Sequence, residues 1–249
     1  MSDLLYRFRG HLRPGSDVHR ASLLQTDAQD GVATLRLYDP IDSWGGEWGV
    51  SAKEFAKALT ELGTVSEIRL HINSPGGEVF EGIAIMNQLR AHSARVVAVV
   101  DGLAASAASF IACAADETVM GRNAQLMIHD AWGLCVGNAQ DMRDLSDRLD
   151  KISDNIASVY AAKSGSSIED VRAAMLAETW YSAEEAVAAR LADSVAETPQ
   201  PKNSHDLSVF QYAGREDAPS PASQATNEAD PPAPRLSSLR RRGELKARR

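Results

Sequence analysis

Residues 66–115 read SEIRLHINSPGGEVFEGIAIMNQLRAHSARVVAVVDGLAASAASFIACAA. The stretch holds two units built alike. SEIRLHI (66–72) alternates as a strand does, NSPGGE (73–78) is a turn, and VFEGIAIMNQLRAH (79–92) has the length of a helix. RVVAVV (95–100) is a second strand, DGLA (101–104) a second turn, and ASAASFIACAA (105–115) a second helix. Strand, helix, strand, helix predicts parallel crossover units and an α/β class. In such a sheet, ligand chemistry gathers at turns that follow strands. Both turns here follow strands and contain glycine.

The pattern extends outward on both sides. VATLRLY (32–38) alternates as a strand. DPIDSWGGEWGV (39–50) carries turn formers and two tryptophans. SAKEFAKALTEL (51–62) opens on a serine cap and spaces Phe55, Leu59 and Leu62 as a helix does. The short pieces ETVM and LMIH complete the core. Residues 138–163 form the longest helical pattern, with Met142, Leu145, Leu149, Ile152, Ile156 and Val159 at steps of three and four. That seam is close to a heptad stripe. It suits a helix against its own core, or one that protrudes and packs on a neighbouring subunit.

Composition sets the domain limits. Residues 1–30 have few periodic apolar positions and read as a loosely held N-terminal segment, ahead of one domain over 31–198. Seven of the ten prolines lie in 199–234, among Ser, Ala, Gln, Asn and Asp. Such a stretch cannot bury enough apolar area to offset chain entropy, so it reads as a disordered linker. The last fifteen residues, RLSSLRRRGELKARR (235–249), hold seven Lys/Arg against one Glu. The chain's net charge is −8, so this basic tail carries +6 and the first 234 residues carry −14. The tail fits a solvated charge run, a contact with nucleic-acid phosphates, or docking to an acidic partner.

Several classes are disfavoured. The sequence has no run of 18 apolar residues, so no membrane span is expected. MSDLLYRFRG lacks the apolar core of a secretory signal. The two cysteines, Cys113 and Cys135, fit neither a disulfide framework nor a metal spacing. The expectation is a cytoplasmic protein.

Two serines, Ser106 and Ser109, sit among alanines just after the second strand and turn. Small neighbours let a substrate and a base approach. A serine hydroxyl becomes a useful nucleophile only when a base takes its proton. Of six histidines, His11, His19 and His205 lie in segments read as loose, and His71 and His92 lie within a strand and a helix. His129 ends the apolar strand LMIH at the mouth of a turn. Ser106 lies where strand and turn give way to a helix, whose free N–H groups favour an oxyanion. Ser109, one helical turn on, points elsewhere. In the first turn, Gly76 and Gly77 allow close approach of a substrate to the backbone. The N–H groups of Gly77 and Ala107 are the candidate oxyanion donors. A phosphate cradle is disfavoured, because PGG matches neither phosphate-binding glycine pattern.

INSPGGEVFEGIAIMNQL, DGLAASAASFIACAADE, LMIHDAWG and ETWYSAEEAVAARLAD, in that order, resemble the signature blocks of the Clp peptidase family, the ClpP-type serine proteases. The match covers roughly residues 32–197. The wording GLAAS, MIH, GNA and ETW is closer to the phage and prophage branch, the ClpP-related head-maturation proteases. The resemblance implies a spiral of repeated β-β-α crossover units with a projecting handle helix, for which the 142–159 seam is the candidate. It implies Ser106 as nucleophile, His129 as general base, and a third acid at Glu178, where the family more often has Asp. Asp130 and Asp193 are the alternative acids.

The implied function is a serine endopeptidase that acts on unfolded or assembly-associated proteins, with capsid or scaffold proteins as implied substrates. The chemistry requires no metal, nucleotide or other cofactor. Homo-oligomeric rings are implied, usually heptameric and possibly stacked. Any use of ATP would come from a separate unfoldase. The rival readings are a general degradation peptidase working with such an ATPase, a crotonase-type enzyme of the same spiral fold, and a non-catalytic assembly subunit.

Overall fold

The structure is a computed structural model and describes residues 24–25 and 31–196. The expected linker, the basic tail and nearly all of the N-terminal segment lie outside the described residues. All described residues fall in one unit, Met1–Pro199.

Among the described residues, eight strands form one mixed sheet. They are β1 (Leu24–Gln25), β2 (Val32–Leu37), β3 (Glu67–Ser74), β4 (Arg95–Ala105), β5 (Glu117–Met120), β6 (Gln125–Ile128), β7 (Thr179–Ser182) and β8 (Ser194–Val195). The main path runs β1-β2-β3-β4-β5-β8, and β6 branches from β4 and carries β7. Strands β2 through β5 and β8 are mutually parallel, while β1 and β7 are antiparallel additions. Six α-helices of the described residues connect them: α1 (Ala52–Glu61), α2 (Val79–Ala91), α3 (Ala107–Cys113), α4 (Ala139–Ser164), α5 (Ile168–Leu176) and α6 (Ala183–Ala188). This is the α/β class that the repeated units predict, with a parallel-dominated sheet.

Side-chain periodicity explains where the core sits. In β2 and β3 every second residue is buried, so Leu35, Leu37, Ile68, Leu70 and Ile72 form one inner face. Helix α1 lays Phe55, Ala58 and Leu59 on it, and α2 adds Ile85, Met86 and Leu89. The predicted serine cap is a capping box, with Ser51 and Glu54 satisfying each other's backbone N–H. Helix α3 is buried along its whole length, including Phe110, Ile111 and Cys113. Burial pushes the Cys113 thiol up to about 12, so this sulfur packs as a small apolar group.

Strand β4 departs from the expected pattern. Asp-Gly is a turn signal, yet the strand continues through DGLA to Ala105. It does so by changing partner. Val97–Val100 pair with β5, and Leu103–Ala105 pair with β6. The helix therefore starts later than expected, at Ala107, and Ser106 becomes the single residue between strand and helix.

Helix α4 divides the two readings of its seam. Ile156, Val159 and Tyr160 are buried in the core. No residue of its first half is buried, and Met142 is 45% exposed. Asn138 and Asp141 cap the start, and Gly165 in the left-handed conformation ends it. Among the described residues, no helix is long and apolar enough to cross a membrane.

Candidate active site

The partner change of β4 builds the site. Because β4 and β6 are parallel neighbours, their C-terminal ends lie together. The pairing Ala105↔Met127 sets Ser106 just past one strand and His129 just past the other. The His129 Nε2 to Ser106 Oγ separation is 2.8 Å. That is hydrogen-bond distance for proton transfer between a hydroxyl and an imidazole. The other histidines of the described residues lie elsewhere. His71 Nδ1 is 2.8 Å from Asp101, and His92 Nδ1 accepts from the Ala94 N–H.

Ser106 adopts φ 53° and ψ −123°. A non-glycine residue in this region costs about 1–3 kcal/mol and persists only where neighbours hold it. Here its N–H donates to the Met127 carbonyl at 3.0 Å. Its carbonyl accepts from the Ser109 N–H at 2.9 Å and the Ser109 hydroxyl at 2.6 Å. The sharp strand-to-helix turn leaves the Ser106 side chain free to meet the imidazole, a geometry akin to a nucleophile elbow.

The glycine turn lies against this serine. Beyond Ile72 the β3–β4 register shifts, pairing Ser74 with Ala104. Gly76 has φ 83°, and a β-carbon there would lie 2.5 Å from the Ala105 oxygen and 2.7 Å from the Ala107 nitrogen. Gly77 has φ 150°, and its β-carbon would lie 2.0 Å from the Ile41 oxygen. Both positions therefore require glycine. The turn is pinned by Ile41, whose N–H donates to the Gly76 carbonyl and whose carbonyl accepts from Glu78, both at 2.9 Å. Those two bonds leave the Gly77 N–H outside the bridge. Ala107 is the first residue of α3, so its N–H has no partner within the helix. Neither N–H has a described partner, and Ala107 directly follows Ser106, so these two groups remain the candidate oxyanion donors.

Glu178 arrives from the other side of β6. Strand β7 runs antiparallel to β6 and pairs Ile128 with Thr179. One further step of that register sets Glu178 across from His129. Glu178 has φ 49° and is exposed. Its carboxylate accepts from the Trp180 indole N–H at 3.2 Å, so it acts on His129 by charge and not through a described hydrogen bond. Burial lowers the His129 pKa from its ordinary 6.5, while the charges of Glu178 and Asp130 push the other way. The ring is therefore neutral near pH 7, the form that accepts a proton.

The alternative acids are engaged elsewhere. Asp130 pairs with Arg172, which also reaches Asp150 and Asp154. Asp193 accepts from the Thr118 N–H at 2.7 Å and pairs with Lys163. Three participants were not foreseen from the sequence: Tyr160, which reaches Ser109; Arg172, which reaches Asp130; and Trp180, which holds Glu178. Only the last has a local signal, the Glu-Thr-Trp spacing.

Comparison with known proteins places this geometry. The chain is similar to the ATP-dependent Clp protease proteolytic subunit of Leuconostoc citreum, 34% identical over 133 residues. Those residues are 52% of this chain and 66% of that protein, just under two thirds of its length. The subunit of the same name from Streptococcus gordonii is 32% identical over 136 residues, 53% of this chain and 69% of that one. That of Streptococcus pneumoniae is 35% identical over 126 residues, 49% and 64%. A model of the Clp protease family matches residues 50–199. That match covers more than half the chain and takes in the glycine turn, the serine turn, the strand-end histidine and the carboxylate just before β7, and the protein therefore belongs to the Clp protease family.

Proposed function

We propose that the protein is a serine endopeptidase that cleaves unfolded or assembly-associated polypeptides. The observation that carries this reading is the 2.8 Å contact of His129 Nε2 with Ser106 Oγ at a strained strand-to-helix turn. In this reading His129 takes the Ser106 proton as the hydroxyl attacks the peptide carbonyl. The Gly77 and Ala107 N–H groups stabilise the tetrahedral oxyanion. The His129 cation, stabilised by Glu178, then protonates the leaving amine. Water hydrolyses the acyl-enzyme with His129 again as base. Gly76 and Gly77 present backbone to the substrate without a side chain in the way.

Hydrolysis of a fluorogenic peptide tests this reading. Ser106→Ala is expected to fold and assemble as the parent does and to lose at least about 10³-fold in kcat/KM. Parent-like hydrolysis by that variant would remove Ser106 as nucleophile.

The substrate reading that the sequence wording supports is maturation of a phage prohead, with capsid or scaffold protein cut during assembly. The relatives favour a second one, since each is named the proteolytic subunit of an ATP-dependent protease. Incubation with candidate head proteins, against an unfolded protein with and without a Clp-type ATPase and ATP, separates the two. The family resemblance implies homo-oligomeric rings, usually heptameric and possibly stacked, and the unburied first half of α4 leaves a face for a neighbouring subunit.

A further inference from the structure

We infer that Ser109 and Tyr160 are positioning residues that hold the nucleophile turn in its reactive conformation. The inference rests on Ser106 being the nucleophile. Ser109 is fully buried in α3, and Tyr160 is 1% exposed in α4. Their hydroxyl oxygens are 2.7 Å apart. The Ser109 hydroxyl is also 2.6 Å from the Ser106 carbonyl oxygen, which can only accept. A serine hydroxyl has one proton. That proton goes to Ser106, so Tyr160 donates to Ser109. The result is a directed relay, Tyr160 O–H to Ser109 Oγ and Ser109 O–H to Ser106 C=O.

The relay acts on the one residue that needs it. At φ 53° the Ser106 peptide sits in a conformation that its own backbone disfavours. Two of the three described hydrogen bonds on its backbone come from Ser109. Each bond in a buried chain polarises the next. Tyr160 thereby ties the nucleophile turn to α4, the helix whose other end lies unburied.

The test uses full-length protein and a fluorophosphonate probe, which reads serine reactivity directly. Tyr160→Phe keeps the ring and removes the donor. It is expected to lower the labelling rate and peptide kcat about three- to tenfold with KM unchanged. Ser109→Ala is expected to lower both and also the Tm, because it strands a buried tyrosine hydroxyl. Ser109→Ala/Tyr160→Phe removes both partners and is expected to regain Tm while labelling stays at least threefold below the parent. That separation of reactivity from stability marks a positioning role. Labelling within twofold of the parent in the double variant, or labelling that tracks Tm across all three variants, would overturn the inference. A parent protein that fails to label at all would overturn the serine-hydrolase reading, and this inference with it.

Discussion

Ser106 and His129 meet because each stands one step beyond a strand end, and the chemistry of the pair follows from where the ring sits. Burial is the largest influence on His129 and lowers its pKa below 6.5, against the opposing charges of Glu178 and Asp130. Peptide hydrolysis should rise with pH through an inflection below 6.5 and level off above it. Glu178→Gln removes a charge that raises the pKa, so the inflection should move lower still. The plateau rate should fall at least about tenfold, since the imidazolium loses its partner. A pH–rate profile of both proteins checks the two signs. The same depression affects folding. The unfolded chain takes up a proton near 6.5 and the folded one only at lower pH, so stability declines as pH falls between those values. The glycine turn gives a steric prediction. Gly76→Ala and Gly77→Ala drive a β-carbon to 2.5 Å and 2.0 Å from a backbone oxygen. Each should lower stability by about 1–3 kcal/mol and hydrolysis by about 10²-fold, read by a thermal scan and by kcat. At this scale the sequence was informative where small residues crowd together. GLAAS and PGG read as sites of close approach. The second serine did not read as a participant, because its partner Tyr160 lies 51 residues away.

The elements differ in how plainly they were written. Strands β2 and β3 carry an alternation that local sequence suffices to show. The end of β4 does not, because whether Asp-Gly turns or runs on is decided by β6, which supplies a partner for Leu103–Ala105. Segments α5, β7, α6 and β8 are two to nine residues long, too short for a period to emerge. Glu178 was consequently legible only through resemblance to a family, its place opposite His129 being set by a register between distant strands. An ion-pair cluster ties these elements together. Arg172 of α5 joins Asp130, beside the histidine, to Asp150 and Asp154 of α4. The Ala131 N–H donates to Ser153 of α4 at 3.0 Å, and the Asp130 N–H to the Met175 carbonyl at 3.2 Å. Arg172→Met should leave Asp130 uncompensated beside the ring. The hydrolysis inflection should then move up, opposite in sign to Glu178→Gln.

For the molecule as a whole, the seam of α4 is the feature that a single chain leaves unfinished. Its inner half closes the core through Ile156, Val159 and Tyr160, whereas Met142 is exposed and Leu145 and Leu149 are only half-buried. Leu145→Lys/Leu149→Lys should shift the protein to smaller species in light scattering at micromolar concentration, with far-UV circular dichroism unchanged. A parent protein that is already monomeric there would remove the ring. The proposal of catalysis is independent of that outcome, since every residue it uses comes from one chain. Its most direct test is intact-mass spectrometry after fluorophosphonate treatment, with the adduct mapped by peptide sequencing. The account predicts one adduct per chain on Ser106, lost in Ser106→Ala and strongly slowed in His129→Ala. An unmodified parent chain, or an adduct on another serine that survives Ser106→Ala, would contradict it.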